Sequence, residues 1–153
     1  MIDYQGIYHV GVLTPDLDKA MNELGTAHGV EWCTVQDRVM AVRTPDGDHE
    51  WAIRFTYSTE GPQHIELLEA EAGSYWDATG RAGLHHVGLW IDDLAAGMDH
   101  LTAQGWATEA SGIGPSGELM TFAYLRPPSG LLVELVDVRA RPRFEQWWAG
   151  GDL

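Results

Sequence analysis

An α+β fold built from two βαβββ modules is what this sequence predicts, on three observations. The first is a repeat: HVGVLTPDLDKAM, from His9 to Met21, returns as HVGLWIDDLAAGM from His86 to Met98, an offset of 77 residues in a chain of 153. The second is a later echo, in which Ile65-Glu66-Leu67-Leu68-Glu69 is answered by Val133-Glu134-Leu135-Val136-Asp137. The third is the spacing of turn signals, which cuts the chain between these segments into short strands. Each half thus offers one histidine on an early strand and one glutamate on a late strand. Two halves brought face to face would collect all four.

Taken in order, Ile7 to Leu13 alternates as a strand, and Thr14-Pro15 stops it by fixing φ and removing a backbone donor. Asp16 then caps a helix with Leu17, Ala20, Met21 and Leu24 at helical spacing, and Gly29 permits the exit. Trp32 to Gln36 and Arg38 to Arg43 read as strands. Pro45-Asp46-Gly47-Asp48 is a turn, so the strand from Trp51 to Tyr57 returns beside its predecessor. After Gly61-Pro62, Gln63 to Glu69 completes the first module, residues 1–70. Residues 71–83 read as a linker carrying Tyr75 and Trp76. The second module, residues 84–138, opens with the strand from His85 to Ile91 and a helix capped by Asp92 or Asp93 and ended by Gly105. Trp106 to Ala110 reads as a strand, Ser111 to Gly117 as a glycine-rich loop, and Leu119 to Leu125 and Leu131 to Val138 as the last strands. In the tail, residues 139–153, Phe144, Trp147 and Trp148 fall at i, i+3 and i+4 of a short amphipathic helix. The whole reads as one compact domain.

Composition narrows the function. A formal charge of −14, with Lys19 as the sole lysine, repels nucleic-acid backbones and anionic membrane surfaces. No stretch approaches the roughly 18 apolar residues of a membrane span, no leader pattern is read, and Cys33 has no partner for a disulfide. A cytoplasmic protein acting on a small molecule is the expectation, without a nucleic-acid or membrane partner. Pairing of two chains into a homodimer, through module edges and Trp147-Trp148, is a further expectation.

Strand alternation decides which side chains share a face. His9 is expected to project with Ile7 and Gly11, His86 with Gly88 and Trp90, Glu66 with His64 and Leu68, and Glu134 with Leu132 and Val136. The acid in each late strand interrupts an apolar run, where an unpartnered carboxylate costs several kcal/mol. A divalent cation held by His9, Glu66, His86 and Glu134 would compensate both charges, and the glycine two residues past each histidine would leave space above it. Two imidazoles and two carboxylates suit zinc, nickel, cobalt, manganese or ferrous iron. The alternative for each residue is structural: a hydrogen-bonded histidine, or a glutamate facing water. His85 is expected to point the other way. His64 stands beside Glu66 as a proton carrier or a satisfied core residue. Trp32, Trp51, Trp90 and Trp106 suit the enclosure of an apolar or aromatic ligand or serve as core. Trp90, Trp51, His64 and Tyr124 form the expected substrate-binding set.

HVGVLTPDLDKAM, HIELLE, HHVGLWIDDLAAGM and GLLVELVD together resemble the signature segments of the vicinal oxygen chelate superfamily, which includes glyoxalase I, methylmalonyl-CoA epimerase, extradiol dioxygenases and bleomycin-type resistance proteins. The resemblance implies that the paired modules curl into an open, barrel-like cleft with one divalent metal ion on its floor. It places the ligands at His9, Glu66, His86 and Glu134. The set of four resembles glyoxalase I, and the HHVG strand is closer to the epimerase branch. The implied activity is that of a metal-dependent isomerase or lyase, in which a proton leaves carbon next to a carbonyl, the metal-bound enediolate carries the charge, and a carboxylate shuttles the proton. Glu134 is the expected base and Glu66 the alternative. The strands from Trp32 to Arg43 offer no good counterpart of the additional acid of an epimerase, Glu31 and Asp37 being poor candidates. The acidic field also disfavours a CoA thioester unless Arg43, Arg54, Arg81 or Arg126 supplies a positive rim. Two other functions compete. One is a metal-free binding or resistance protein that holds a planar ligand between tryptophans. The other is a ring-cleaving ferrous dioxygenase, whose open coordination positions a fourth ligand, Glu66, would crowd.

Overall fold

The computed structural model describes residues 2–153. Its strands are β1 (Ile7–Leu13), β2 (Gln36–Thr44), β3 (Gly47–Tyr57), β4 (His64–Ala70), β5 (Gly83–Ile91), β6 (Ala107–Ile113), β7 (Leu119–Arg126) and β8 (Val133–Asp137). The helices are α1 (Leu17–His28), α2 (Leu94–Thr102) and α3 (Arg141–Trp148). Both repeated helices start at an aspartate. Asp16 accepts from the Lys19 backbone N–H at 2.9 Å and Asp93 from that of Ala96 at 3.0 Å, so the repeat encodes a cap as well as a strand. Gly29, with φ of 71°, supplies the left-handed exit of α1.

The sheet order is β1-β4-β3-β2-β6-β7-β8-β5, and it closes on itself because β5 pairs antiparallel with β1. Each module contributes four neighbouring strands, with β1 parallel to β4 and β5 parallel to β8. The two joints between modules are unequal. The β1–β5 seam runs from Ile7↔Leu89 to Leu13↔Gly83, whereas β2 meets β6 only at Val42↔Gly112 and Arg43↔Ser111. The barrel therefore parts beyond Val42, beside Met40.

Alternation sends side chains to two cores. Outside the sheet, Leu94 and Leu101 of α2 pack on Leu89, Ala123, Leu125, Val133 and Leu135. Inside lie Leu13, Ile53, Tyr57, Leu68, Phe122, Tyr124, Leu132 and Val136. α3 joins the inner core: Trp147 has no exposed surface, meets Phe55 and Tyr57 edge to face, and donates its indole N–H to the Thr34 carbonyl at 3.1 Å. Pro142, in its first turn, needs no N–H partner there. Among the described residues no helix is long and apolar enough to cross a membrane.

Two expected elements differ. Of the expected strand from Trp32 to Gln36, Gln36 opens β2, and the residues before it form a connector with a single bridge, Trp32↔Ser58. Its polar groups are taken elsewhere: the Trp32 indole donates to the Met21 carbonyl at 3.0 Å, and the Cys33 carbonyl accepts from Thr56 Oγ1 at 2.8 Å. Ser111 to Ile113, expected in a loop, belong to β6. Gly112 there is a close-approach residue, because a Cβ at this position would lie 2.7 Å from the Phe122 ring.

Replacing the buried Trp147 with alanine should destabilise the protein by about 3–5 kcal/mol, read as a lowered urea midpoint. A midpoint near that of the parent would show that α3 contributes little to the inner core.

Candidate active site

The β1–β5 seam builds the centre. Its register sets His9 opposite Gly88 and His86 opposite Gly11. A Cβ on Gly88 would lie 1.9 Å from the His9 ring, and one on Gly11 would lie 1.9 Å from the His86 ring. The expected space above the site is thus filled: each module's glycine makes room for the imidazole of the other. The parallel neighbours β4 and β8 then bring in Glu66, paired with Gly11, and Glu134, paired with Gly88.

All four residues are buried, with His9 and His86 at 0% and 1% exposure. His9 Nε2 and His86 Nε2 stand 2.9 Å apart. Glu134 Oε2 lies 3.1 Å from His9 Nε2 and 3.4 Å from His86 Nε2, and Glu66 Oε2 lies 3.3 and 3.2 Å from the same two atoms. Ligands about 2.1 Å from one ion stand about 3.0–3.4 Å from each other, so this set of nitrogens and oxygens has the spacing of a divalent first-row metal site. Glu66 Oε2 has no hydrogen-bond partner, which leaves a buried carboxylate oxygen for a cation to satisfy. The residues fit the group.

Without an ion, the four hold one another. Burial alone would push both imidazoles down, but the carboxylates of Glu134 and Glu66 outweigh it, raising His9 and lifting His86 to about 9. Burial would raise both carboxyls, and the two histidines instead hold them below the usual range. Tyr8, Tyr57 and Tyr124 are buried phenols pushed well above their ordinary value by desolvation and by the nearby glutamates, so they stay neutral donors.

Two bulges correct the expected faces. Along the seam, Tyr8 is an extra residue on β1, and His85 an extra residue on β5, each immediately before the histidine of its module. The bulge sends Ile7 to the outer core, away from His9, and turns Tyr8 inward. It also turns His85, expected to point away, back alongside His86, with the two Nδ1 atoms 3.1 Å apart. Burial, the neighbouring His86 and Arg81 depress His85 to about 3, so a neutral His85 ring can accept from Nδ1 of a His86 that carries its proton there. That leaves His86 Nε2 directed at the centre.

Glu66 and Glu134 face a chamber of about 110 Å³, otherwise walled by apolar and aromatic side chains. Tyr8, Phe55, Tyr57, Phe122 and Tyr124 come from the sheet, Trp76 from the linker and Phe144 from α3, and Met40 and Thr121 also line it. Of the expected substrate-binding residues, Tyr124 lines the chamber and accepts the Trp76 indole N–H at 3.2 Å. The others stand behind the wall: Trp90 stacks on Tyr8 at 3.8 Å, His64 stacks on Trp148 at 3.9 Å with Nδ1 2.7 Å from the Ser58 carbonyl, and Trp51 stacks on His49 at 4.4 Å. Tyr8, Tyr57, Trp76 and Phe144 were not singled out from the sequence as chamber residues. For Tyr8 the available signal was its place before His9, matching that of His85 before His86.

The model of the Glyoxalase/Bleomycin resistance protein/Dioxygenase superfamily matches residues 8–124, a span that includes His9, Glu66 and His86. The chain belongs to this superfamily. Among curated proteins, the superfamily member is 25% identical over 138 residues to an ethylmalonyl-CoA/methylmalonyl-CoA epimerase of Cereibacter sphaeroides, covering 85% of this chain and 96% of that one. A hypothetical protein from Bacillus halodurans superposes with a TM-score of 0.64 at 18% identity, over 86% of this chain and 92% of the other. Methylmalonyl-CoA epimerase from Mycobacterium tuberculosis gives 0.60 at 19% identity, over 90% and 92% of the two chains. The enzyme from Streptomyces coelicolor, in complex with 2-nitronate-propionyl-CoA, gives 0.57 at 22% identity, over 86% and 92%. These likenesses establish the curved, barrel-like α+β fold of the superfamily.

Two outcomes follow from the geometry. Gly88→Ala, which drives a methyl into His9, should lower stability by about 1–3 kcal/mol, whereas Gly73→Ala, with open space but a φ of 82°, tests backbone strain alone. An equal loss in both would deny the ring–glycine contact its role. For metal-free protein, the raised His86 contributes stability that is complete below its ordinary 6.5 and lost as pH rises through about 9. The lowered glutamates contribute stability complete above their ordinary 4.5 and lost as pH falls through their depressed values. Urea unfolding in chelator should therefore give a higher midpoint at pH 5.5 than at pH 9.5; a flat profile would contradict the ion pairing.

Proposed function

We propose that this protein is a divalent-metal-dependent epimerase or isomerase that moves a proton at carbon next to a carbonyl. The observation that carries the reading is the convergence of His9, Glu66, His86 and Glu134 on one point at the wall of an aromatic-lined chamber. The epimerases among its sequence and structural relatives support the same class of reaction.

His9, Glu66, His86 and Glu134 would hold the ion, which supplies a Lewis acid for charge developing on substrate oxygen. The chain's own groups do the rest. His85 fixes the tautomer of His86, and the apolar wall excludes water that would compete for the proton. Glu134 takes the proton from carbon and returns it to the same or the neighbouring carbon, with Glu66 as the alternative carrier. These are the two acids of the chamber wall. Asp37 pairs with Arg54 instead, at 3.3 Å, and β2 presents Met40 to the chamber. Neutral Tyr57 and Tyr124 stand beside both glutamates as hydrogen-bond donors.

The test is metal content of protein purified without chelator or nickel resin, beside Glu134→Ala and His86→Ala. About one divalent ion per chain is expected in the parent, with affinity reduced at least tenfold in each variant. The loaded parent should exchange the hydrogen next to the carbonyl of a ketone or thioester substrate with heavy water, and Glu134→Ala should not. A parent that takes up no ion after reconstitution would overturn the reading in favour of metal-free ligand binding.

A further inference from the structure

The chamber has two properties that the proton-transfer reading leaves unused. It is small, and it holds an unsatisfied donor. The Tyr8 side chain is 5% exposed and lines the cavity beside the Tyr57 phenol, and no group stands within hydrogen-bond distance to accept its O–H. A buried phenol O–H without a partner costs free energy comparable to a lost hydrogen bond. Nothing in packing explains its retention, since stacking on Trp90 at 3.8 Å needs only the ring. A phenol O–H that faces the cavity with no acceptor is free to donate to whatever the cavity holds.

Size and charge point the same way. A cavity of roughly 150 Å³ holds benzene; this one is about 110 Å³. Two segments outside the repeated modules set the limit, with Trp76 of the linker and Phe144 of α3 both reaching the wall. The arginines that might receive an anionic tail are engaged: Arg43 with Asp48, Arg54 with Asp18, Asp37 and Glu69, and Arg126 with Glu109. Arg81 is turned to the backbone carbonyls of Tyr75 and Asp77. Arg38, in the same row of β2 as Met40, donates to Gln36 and has no carboxylate partner among the described residues. A nucleotide tail with several phosphate charges would meet a chain of net charge −14.

We infer that the site takes a compact carbonyl compound smaller than a benzene ring, without a nucleotide tail, oriented by a hydrogen bond from the Tyr8 hydroxyl to a substrate oxygen. The inference rests on the metal-dependent reading above and adds the substrate class and the residue that reads it.

The test uses full-length protein loaded with cobalt, with acetohydroxamate as the compact probe and propionyl-CoA as the tailed one. Binding is read from the cobalt visible spectrum and from tryptophan fluorescence, at probe concentrations that leave the ion on the protein. Acetohydroxamate should bind the parent, and propionyl-CoA should neither bind nor displace it. Tyr8→Phe should keep the parent's cobalt stoichiometry and unfold at an equal or higher urea concentration, because the orphaned hydroxyl is gone. It should bind acetohydroxamate about tenfold more weakly. Unchanged binding in Tyr8→Phe, or propionyl-CoA binding the parent as tightly as acetohydroxamate, would overturn this inference while leaving the metal reading intact. A parent that takes up no cobalt would overturn both.

Discussion

The rest of the structure depends on a reciprocal steric fit: two glycines, Gly11 and Gly88, give up their side-chain space to the imidazoles of the opposite module. Only an antiparallel seam in the observed register permits this, since a shift of one residue would exchange inner and outer faces along the strand. The two parallel neighbours then have no freedom in what they deliver. Glu66 must arrive beside Gly11 and Glu134 beside Gly88, and both carboxylates fall against the crossed histidines. The catalytic geometry proposed here is thus a consequence of how two sheets are joined.

That join also explains what the sequence made legible. The repeat from His9 to Met21 and from His86 to Met98 exposed the module, the aspartate caps and the two histidines together, because one pattern encodes strand, cap and helix in turn, and the later echo around Glu66 and Glu134 added the two acids. Strict alternation of two then failed where the chain departs from it. At Tyr8 and His85 an extra residue enters the seam, and period-two reasoning assigned Ile7 to the wrong face and His85 to the wrong direction. Gly112 misled for a related reason. Glycine signals either a turn or a close approach, and only the position of the Phe122 ring distinguishes them. The tryptophans were the least legible. Trp90 and Trp51 stand one layer behind the chamber, while Trp76 reaches it from a segment with no periodicity to read.

Burial shapes the chemistry through the same layer. The phenols of Tyr8, Tyr57 and Tyr124 are held neutral by the glutamates they surround, while the histidines and glutamates hold one another charged in the absence of an ion. A cation entering the centre replaces the imidazole protons as the counter-charge to the carboxylates. Ion binding and protonation therefore draw on the same electrostatic balance.

The modules are related by an approximate twofold, and the four convergent residues lie across it as two equivalent pairs. A centre with that symmetry, taken alone, presents the same environment to either face of a planar reactant. The segments that do not repeat remove the equivalence: Trp76 enters from the connection between the halves and Phe144 from the helix that follows the second. The modules break it too, since Tyr8 stands where the other module has His85, so the two faces of the centre differ in chemistry as well as in shape.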